Sequence, residues 1–320
     1  MMNKTHCTST FGTLAMLGEN QRIGYMITNI LIAFVNLITN LCVIIIIIKT
    51  KQIKNQSIKL VYYLSISNVL FAVIGQPIFA AILYLGTEVG CTEMRLLLLV
   101  IEFFMYSSTY LTGMLGFDRY IRIRYQSTYN KVYSRLRFNL SLVILYILIV
   151  LQAGLGTMSR FLNLSAVLIN LPVNVIMFLI VACLYGKSIL ILREYEQTAK
   201  RLFKHKKKVP LTRLASLYIA TDTILCLPLV ITLSAYYFIQ KSSIDYELKA
   251  IIFYTCFLFF LCHCPINAVC FLFVNKKAKS RLVGKKRKST DALNNSSSYN
   301  NQNDTIISKS QSSPVLDTRM

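Results

Sequence analysis

Seven long apolar runs govern what this chain can become. They fall at about 24–48, 60–85, 96–117, 138–158, 161–186, 214–240 and 250–275, and four of them contain no Asp, Glu, Lys, Arg or His. Each reaches the roughly 20 residues that a helix needs to cross a hydrocarbon core of about 30 Å. A backbone in lipid must satisfy its own polar groups, so runs of this kind are read as helices. The third run carries Glu102 and many Tyr, Ser and Thr, which makes it the least apolar. Composition agrees: only 15% of the 320 residues are charged and the mean hydropathy is +0.53, against roughly a quarter charged in soluble domains.

The net charge is +22, but its distribution argues for topology and against nucleic acid. With the N-terminus outside, the external cations are Lys4, Arg22, Arg95, Arg160, Lys241 and Lys249, leaving 29 of the 35 Lys and Arg on the inner side. Basic residues resist translocation, so the chain is expected to keep its N-terminus outside and its C-terminus in the cytosol. The inner excess also suits anionic inner-leaflet lipid. No signal peptide is expected within the first 23 residues.

The expected organisation is an external N-terminus over 1–22, a membrane domain over 23–283, and a tail over 284–320. Residues 275–282 read as a short amphipathic eighth helix at the interface. The tail is basic, then rich in Ser and Thr (11 within 289–320), and cannot bury enough apolar surface to fold. Asn3 and Asn163 lie in sequons on the external side. Cys7 and Cys91 face the oxidising compartment, either as a disulfide or as two free thiols; spacing does not choose. The prolines Pro77, Pro228 and Pro265 interrupt spans two, six and seven and are expected to kink them.

Polar groups inside the membrane are costly and therefore informative. Asn36 and Asn40 in span one, Asn68 in span two, Glu102 in span three, Asp222 in span six and His263 in span seven are the clearest. No metal-ligand spacing, nucleophile motif or phosphate loop accompanies them, and the three histidines are scattered. A hydrolase, a metalloenzyme or any cofactor is not expected.

Asp118-Arg119-Tyr120 closes span three at its inner end. With seven spans this resembles the rhodopsin-like (class A) G-protein-coupled receptors. Further matches are Asn40 and Val43 in span one, Leu64 to Leu70 in span two, Tyr129 ten residues after Arg119, Tyr185 in span five and Pro228 in span six. The segment Asn267-Ala268-Val269-Cys270-Phe271 is similar to the family's Asn-Pro-x-x-Tyr. The resemblance covers residues 24 to about 282.

That resemblance implies an all-α bundle of seven membrane helices in the cell membrane, an extracellular ligand, a heterotrimeric G protein, and arrestin and receptor kinases acting on the tail. It implies a switch built from Asp118, Arg119, Tyr120, Tyr185, Asn267 and Phe271, in which Arg119 pairs with Asp118 at rest. It also implies a polar core of Asn40, Asn68, Ser108, Asp222, His263 and Asn267. The corresponding ligand cavity is lined by Ile101, Glu102, Met105, Tyr106, Leu229, Leu233, Phe257 and Leu261.

The departures from the family pattern carry consequences. Asn68 stands for an Asp, so a sodium site would lose its charge. Ala268 and Phe271 replace Pro and Tyr, and Cys226 replaces a Trp. Lys206-Lys207-Lys208 stands where an acid usually restrains span six, which implies basal activity. Ile101 in place of an Asp argues against an amine ligand, and the lack of Lys in 250–274 argues against retinal. A seven-helix transporter or channel, and a non-signalling decoy of the same fold, are the alternatives. Flux in vesicles would mark the first, and an inactive receptor with any ligand the second.

Overall fold

The computed structural model describes residues 17–85, 91–125, 128–161 and 246–275, with scattered positions between 172 and 197. Five helices among the described residues are long and apolar enough to cross a membrane: Glu19–Lys49, Gln56–Leu85, Thr92–Arg122, Arg135–Met158 and Glu247–Phe273. They coincide with expected spans one, two, three, four and seven. The described positions between 172 and 197 are also helical, in and just beyond expected span five. Expected span six, 214–240, lies outside the described residues, as do the proposed eighth helix and the tail.

Helix α1 spans Glu19–Lys49 and opens on Gly18, whose amide donates to Gln21 Oε1 at 3.0 Å. Its buried residues Asn29, Asn36, Asn40, Val43 and Ile47 recur at intervals of seven, four and three. They form one stripe, because i, i+4 and i+7 share a helix face. The other faces carry exposed Leu31 (61%), Phe34 (62%) and Ile48 (54%). Apolar exposure on that scale would be a liability in water and is ordinary against lipid.

Helix α2, Gln56–Leu70, starts at Asn55, whose side chain accepts from the Ser57 amide at 3.1 Å and so satisfies one of the helix's unpaired donors. It runs through a π-turn at Phe71–Gly75 into α3, Gln76–Leu85. The sequence places a kink at Pro77. In the structure the departure from α-geometry precedes it: the Gln76 amide bonds Phe71 O, and the proline then starts the second segment, where its missing N–H costs least. Gly75 makes the turn possible. A Cβ there would lie 2.3 Å from the Phe71 ring, itself 2% exposed.

Helix α4, Cys91–Arg124, packs against α2 and α6. A short turn of helix, α5 at Tyr129–Val132, leads to α6, Arg135–Phe161, where the Arg137 amide reaches Ser134 Oγ at 3.4 Å. Helix α7, Tyr246–Leu261, is followed after Cys262 by α8, His263–Val274. The break sits one turn before Pro265, which has no N–H for the Leu261 carbonyl. The helix of span seven is thus interrupted at Cys262, close to the proline.

Among the described residues, one end of the bundle holds the basic stretches 49–59 and 119–137. There the Gln52 side chain accepts from Asn275 Nδ2 at 3.0 Å, tying the α1–α2 turn to the end of α8. At the opposite end Tyr25 OH lies 2.9 Å from Thr255 Oγ1 and donates to Ile251 O at 3.2 Å, tying α1 to α7.

Candidate functional site

At the basic end, Asp118 is fully buried. Its two carboxylate oxygens accept from Ser57 Oγ and from Tyr129 OH, the latter at 2.5 Å. Ser57 is in the first turn of α2 and Tyr129 opens α5, so one carboxylate joins three segments. Gln56 Oε1 lies 3.1 Å from the same phenol. Arg122, one turn below Asp118, donates to Asn55 Oδ1 at 3.1 Å and lays its guanidinium 4.6 Å over the Tyr129 ring. Burial first, then the hydrogen bond and charge of Asp118, push the Tyr129 hydroxyl pKa upward from 10.0 against the opposing pull of Arg122.

The sequence reading pairs Arg119 with Asp118. The structure corrects this. Neighbouring positions on a helix point about 100° apart and do not face each other. Asp118 turns inward, whereas Arg119 is half-buried and makes no hydrogen bond or ion pair with the described residues. Tyr120 packs at the edge of the surrounding apolar cluster. Phe271 is buried in that cluster beside Leu60, Leu111 and Ala268. As an apolar ring it offers no hydroxyl, so it fills space and cannot hydrogen-bond as a Tyr would.

Of the expected polar core, Asn40, Asn68, Ser108 and His263 are linked by hydrogen bonds that run on to residues the sequence reading did not include. His263 Nε2 lies 3.1 Å from Ser108 Oγ, and Ser108 Oγ 2.9 Å from Asn68 Oδ1. Asn68 Nδ2 reaches Asn40 Oδ1 at 3.3 Å, Asn40 Nδ2 reaches Asn36 Oδ1 at 2.7 Å, and Asn36 Nδ2 reaches Gln76 Oε1 at 3.2 Å. Asn29 Nδ2 adds a bond to the Gln76 carbonyl at 2.8 Å. Asn267 is buried nearby in sequence, four residues along from His263. The chain of side chains thus crosses five helices, α8, α4, α2, α1 and α3, without a carboxylate among these links.

Hydrogen counting constrains this chain. A carbonyl only accepts, so the 2.7 Å contact of His263 Nδ1 with Phe260 O puts a hydrogen on Nδ1. A neutral ring then presents an acceptor to Ser108, which has one hydrogen to direct at either His263 or Asn68. Directed at Asn68 Oδ1, that hydrogen leaves the neutral His263 Nε2 without a donor from Ser108, while the amide links beyond keep one direction either way.

Among the described residues, the expected cavity members divide between two packed clusters. Ile101, Phe257 and Leu261 join the packed cluster with Phe79 and Phe104, the Phe79 and Phe257 rings being 4.7 Å apart. Met105 packs at the edge of that cluster. Tyr106 packs instead with Tyr110, Ile149 and Ala153 toward α6. Glu102 is half-buried.

Outside the described residues lie Asn3, Cys7, Asn163, Tyr185, Asp222, Pro228, Leu229 and Leu233, together with the side chain of Cys91. The sequence reading missed Ser57, Gln76 and Asn29. Gln76 and Asn29 had a signal, being lone amides in apolar runs; Ser57 had none. Also missed was Gln152, a buried amide in α6 whose Oε1 accepts from Tyr110 OH.

Apolar spans in alternation, a carboxylate locked at the basic end and a polar chain through the core are those of a multi-pass membrane protein. The family described as 7 transmembrane receptor (rhodopsin family) matches residues 39–301. The chain belongs to that family. Its members are receptors rather than enzymes. No curated protein matched the chain.

Proposed function

We propose that this chain is a cell-membrane receptor that turns binding of an extracellular ligand into activation of a heterotrimeric G protein. The observation that carries the proposal is Arg119: it stands at the basic end with no acidic partner among the described residues, while Asp118 beside it is held by Ser57 and Tyr129. The distribution of Lys and Arg supports a cytosolic position for this end and an external N-terminus.

In this reading the bundle populates closed and open forms, and a ligand that prefers the open form shifts the balance. Outward movement of the sixth span, 214–240, opens a cleft at the basic end. Arg119 then donates to carbonyls of an inserted G-protein helix, with Tyr185 alongside. The Ser57–Asp118–Tyr129 lock keeps α2, α4 and α5 together during that movement, so the rim on that side acts as a fixed wall. Residues 275–282 lie along the membrane as an eighth helix, and the Ser/Thr tail is the substrate for receptor kinases and the site for arrestin.

Arg119→Ala tests this. With a ligand found by screening, wild type dissociates the G protein and the variant does not, while ligand binding persists. A variant that signals as wild type does would sink the proposal. The buried apolar Phe271 favours one second reading, a decoy that binds ligand without signalling. In that case wild type itself activates no G protein with any ligand it binds.

A further inference from the structure

One face of α6 joins a charged cleft to an apolar groove. Arg135, Phe138 and Asn139 form one wall of a cleft of about 590 Å³, facing Ile53, Lys54 and Lys59 from the start of α2 and the turn before it. Farther along the same helix, Leu142, Val143, Tyr146, Ile147 and Val150 line a second hollow of about 460 Å³. Positions 135, 138, 139, 142, 143, 146 and 150 recur at intervals of three and four, which makes them a single stripe.

The cleft carries charge without compensation. Lys54 and Arg135 are exposed, and none of Lys54, Lys59 and Arg135 has a hydrogen bond or ion pair with the described residues. Lys59 Nζ sits 5.6 Å from the Phe138 ring and 5.7 Å from Tyr63, which orients the ammonium without neutralising it. No acidic residue occurs in 49–59 or 119–139, and Asp118, next to the second of these stretches, is fully buried and already bonded by Ser57 and Tyr129. Helices α2 and α6 both begin at this cleft, so their positive ends add to the field.

We propose that this stripe binds an anionic phospholipid, its multiply charged phosphorylated head between Lys54, Lys59 and Arg135 and one acyl chain along the groove on α6. The charge calls for an anion, and three cations favour a head with more than one negative charge. Apolar continuation selects a lipid over a free phosphate: the groove is flanked by Leu140 (56% exposed) and Ile147 (53%), on a lipid-facing surface. From the proposed function it takes only that the basic end meets an inner leaflet.

The full chain in phosphatidylcholine nanodiscs, with a small fraction of fluorescent phosphatidylinositol bisphosphate in both leaflets, tests this without any G protein. Saturable energy transfer from a label near residue 135 is expected. The pair Lys54→Gln, Arg135→Gln should weaken it about thirty-fold, taking about 1 kcal/mol per surface cation. The charge-matched pair Arg124→Gln, Lys131→Gln, neither of which lines the cleft, should weaken it far less than the cleft pair does. Thermal stability of each variant is measured alongside, and unfolding of the cleft pair is circumvented by Lys54→Gln alone, expected at about fivefold. Equal loss in both pairs, equal affinity for phosphatidylserine, or full displacement by soluble inositol trisphosphate at matching concentration would each overturn the proposal, as would the lack of saturable transfer. G-protein activation is not read, so failure here leaves the receptor assignment standing, and failure there leaves this one.

Discussion

Replacing Tyr129 by Phe removes one hydroxyl from a carboxylate that has no contact with solvent. Tyr129 OH donates to Asp118 Oδ1 at 2.5 Å, and Ser57 Oγ serves the other oxygen. A hydrogen bond to a charged group contributes about 1.5–3 kcal/mol, roughly twice a neutral one. Tyr129→Phe should therefore destabilise the receptor by about 2 kcal/mol. In an Asp118→Asn background the amide oxygen still accepts, but at the neutral strength of about 1 kcal/mol. The cost of Tyr129→Phe should fall there by about half, a coupling of about 1 kcal/mol between residues in contact. Unfolding of wild type, both single variants and the double variant in mixed micelles measures the cycle. Equal costs of Tyr129→Phe in the two backgrounds would mean that phenol and carboxylate do not interact, and the lock would be refuted.

Two further outcomes follow from the packing. Gly75→Ala places a methyl against the buried Phe71 ring and should cost about 1–3 kcal/mol as an overpacked core does; thermal unfolding checks it, and unchanged stability would show that the π-turn is absent. The Tyr133 hydroxyl, 3% exposed, has its pKa pushed by burial from 10.0 up to about 12, with Ser141 nearby opposing and the charge of Asp118 adding. Because the folded value is the higher one, the neutral phenol's stabilisation is complete below pH 10 and is lost as pH rises from 10 toward about 12. Wild type should lose more stability over that interval than Tyr133→Phe, and parallel curves would refute the assignment.

The spans were legible because lipid imposes a length and a composition on any helix that crosses it, whatever it packs against. The stripe of Asn29, Asn36 and Asn40 on α1 could likewise be read by helical spacing, and buried amides call for partners. Which partners they find was not legible. Gln76 meets Asn36 because the π-turn rotates the chain ahead of Pro77, and a π-turn arises from the fit of Phe71 over Gly75, not from local propensity alone. The family resemblance puts Tyr106 in the same cavity as Phe257, yet its side of α4 faces α6.

Asp118 makes the division plainest. Sequence alone determined that an acid and a base end the third span, that charge lies overwhelmingly at one end, and that the core carries amides where the family has an acid. Only the tertiary structure decided that the acid bonds Ser57 and Tyr129, 61 residues before it and 11 after. The reason is directional: hydropathy acts on each residue through its surroundings, whereas a hydrogen bond needs two groups within about 3 Å at a suitable angle. No one-dimensional pattern encodes which helix turns which side chain into reach.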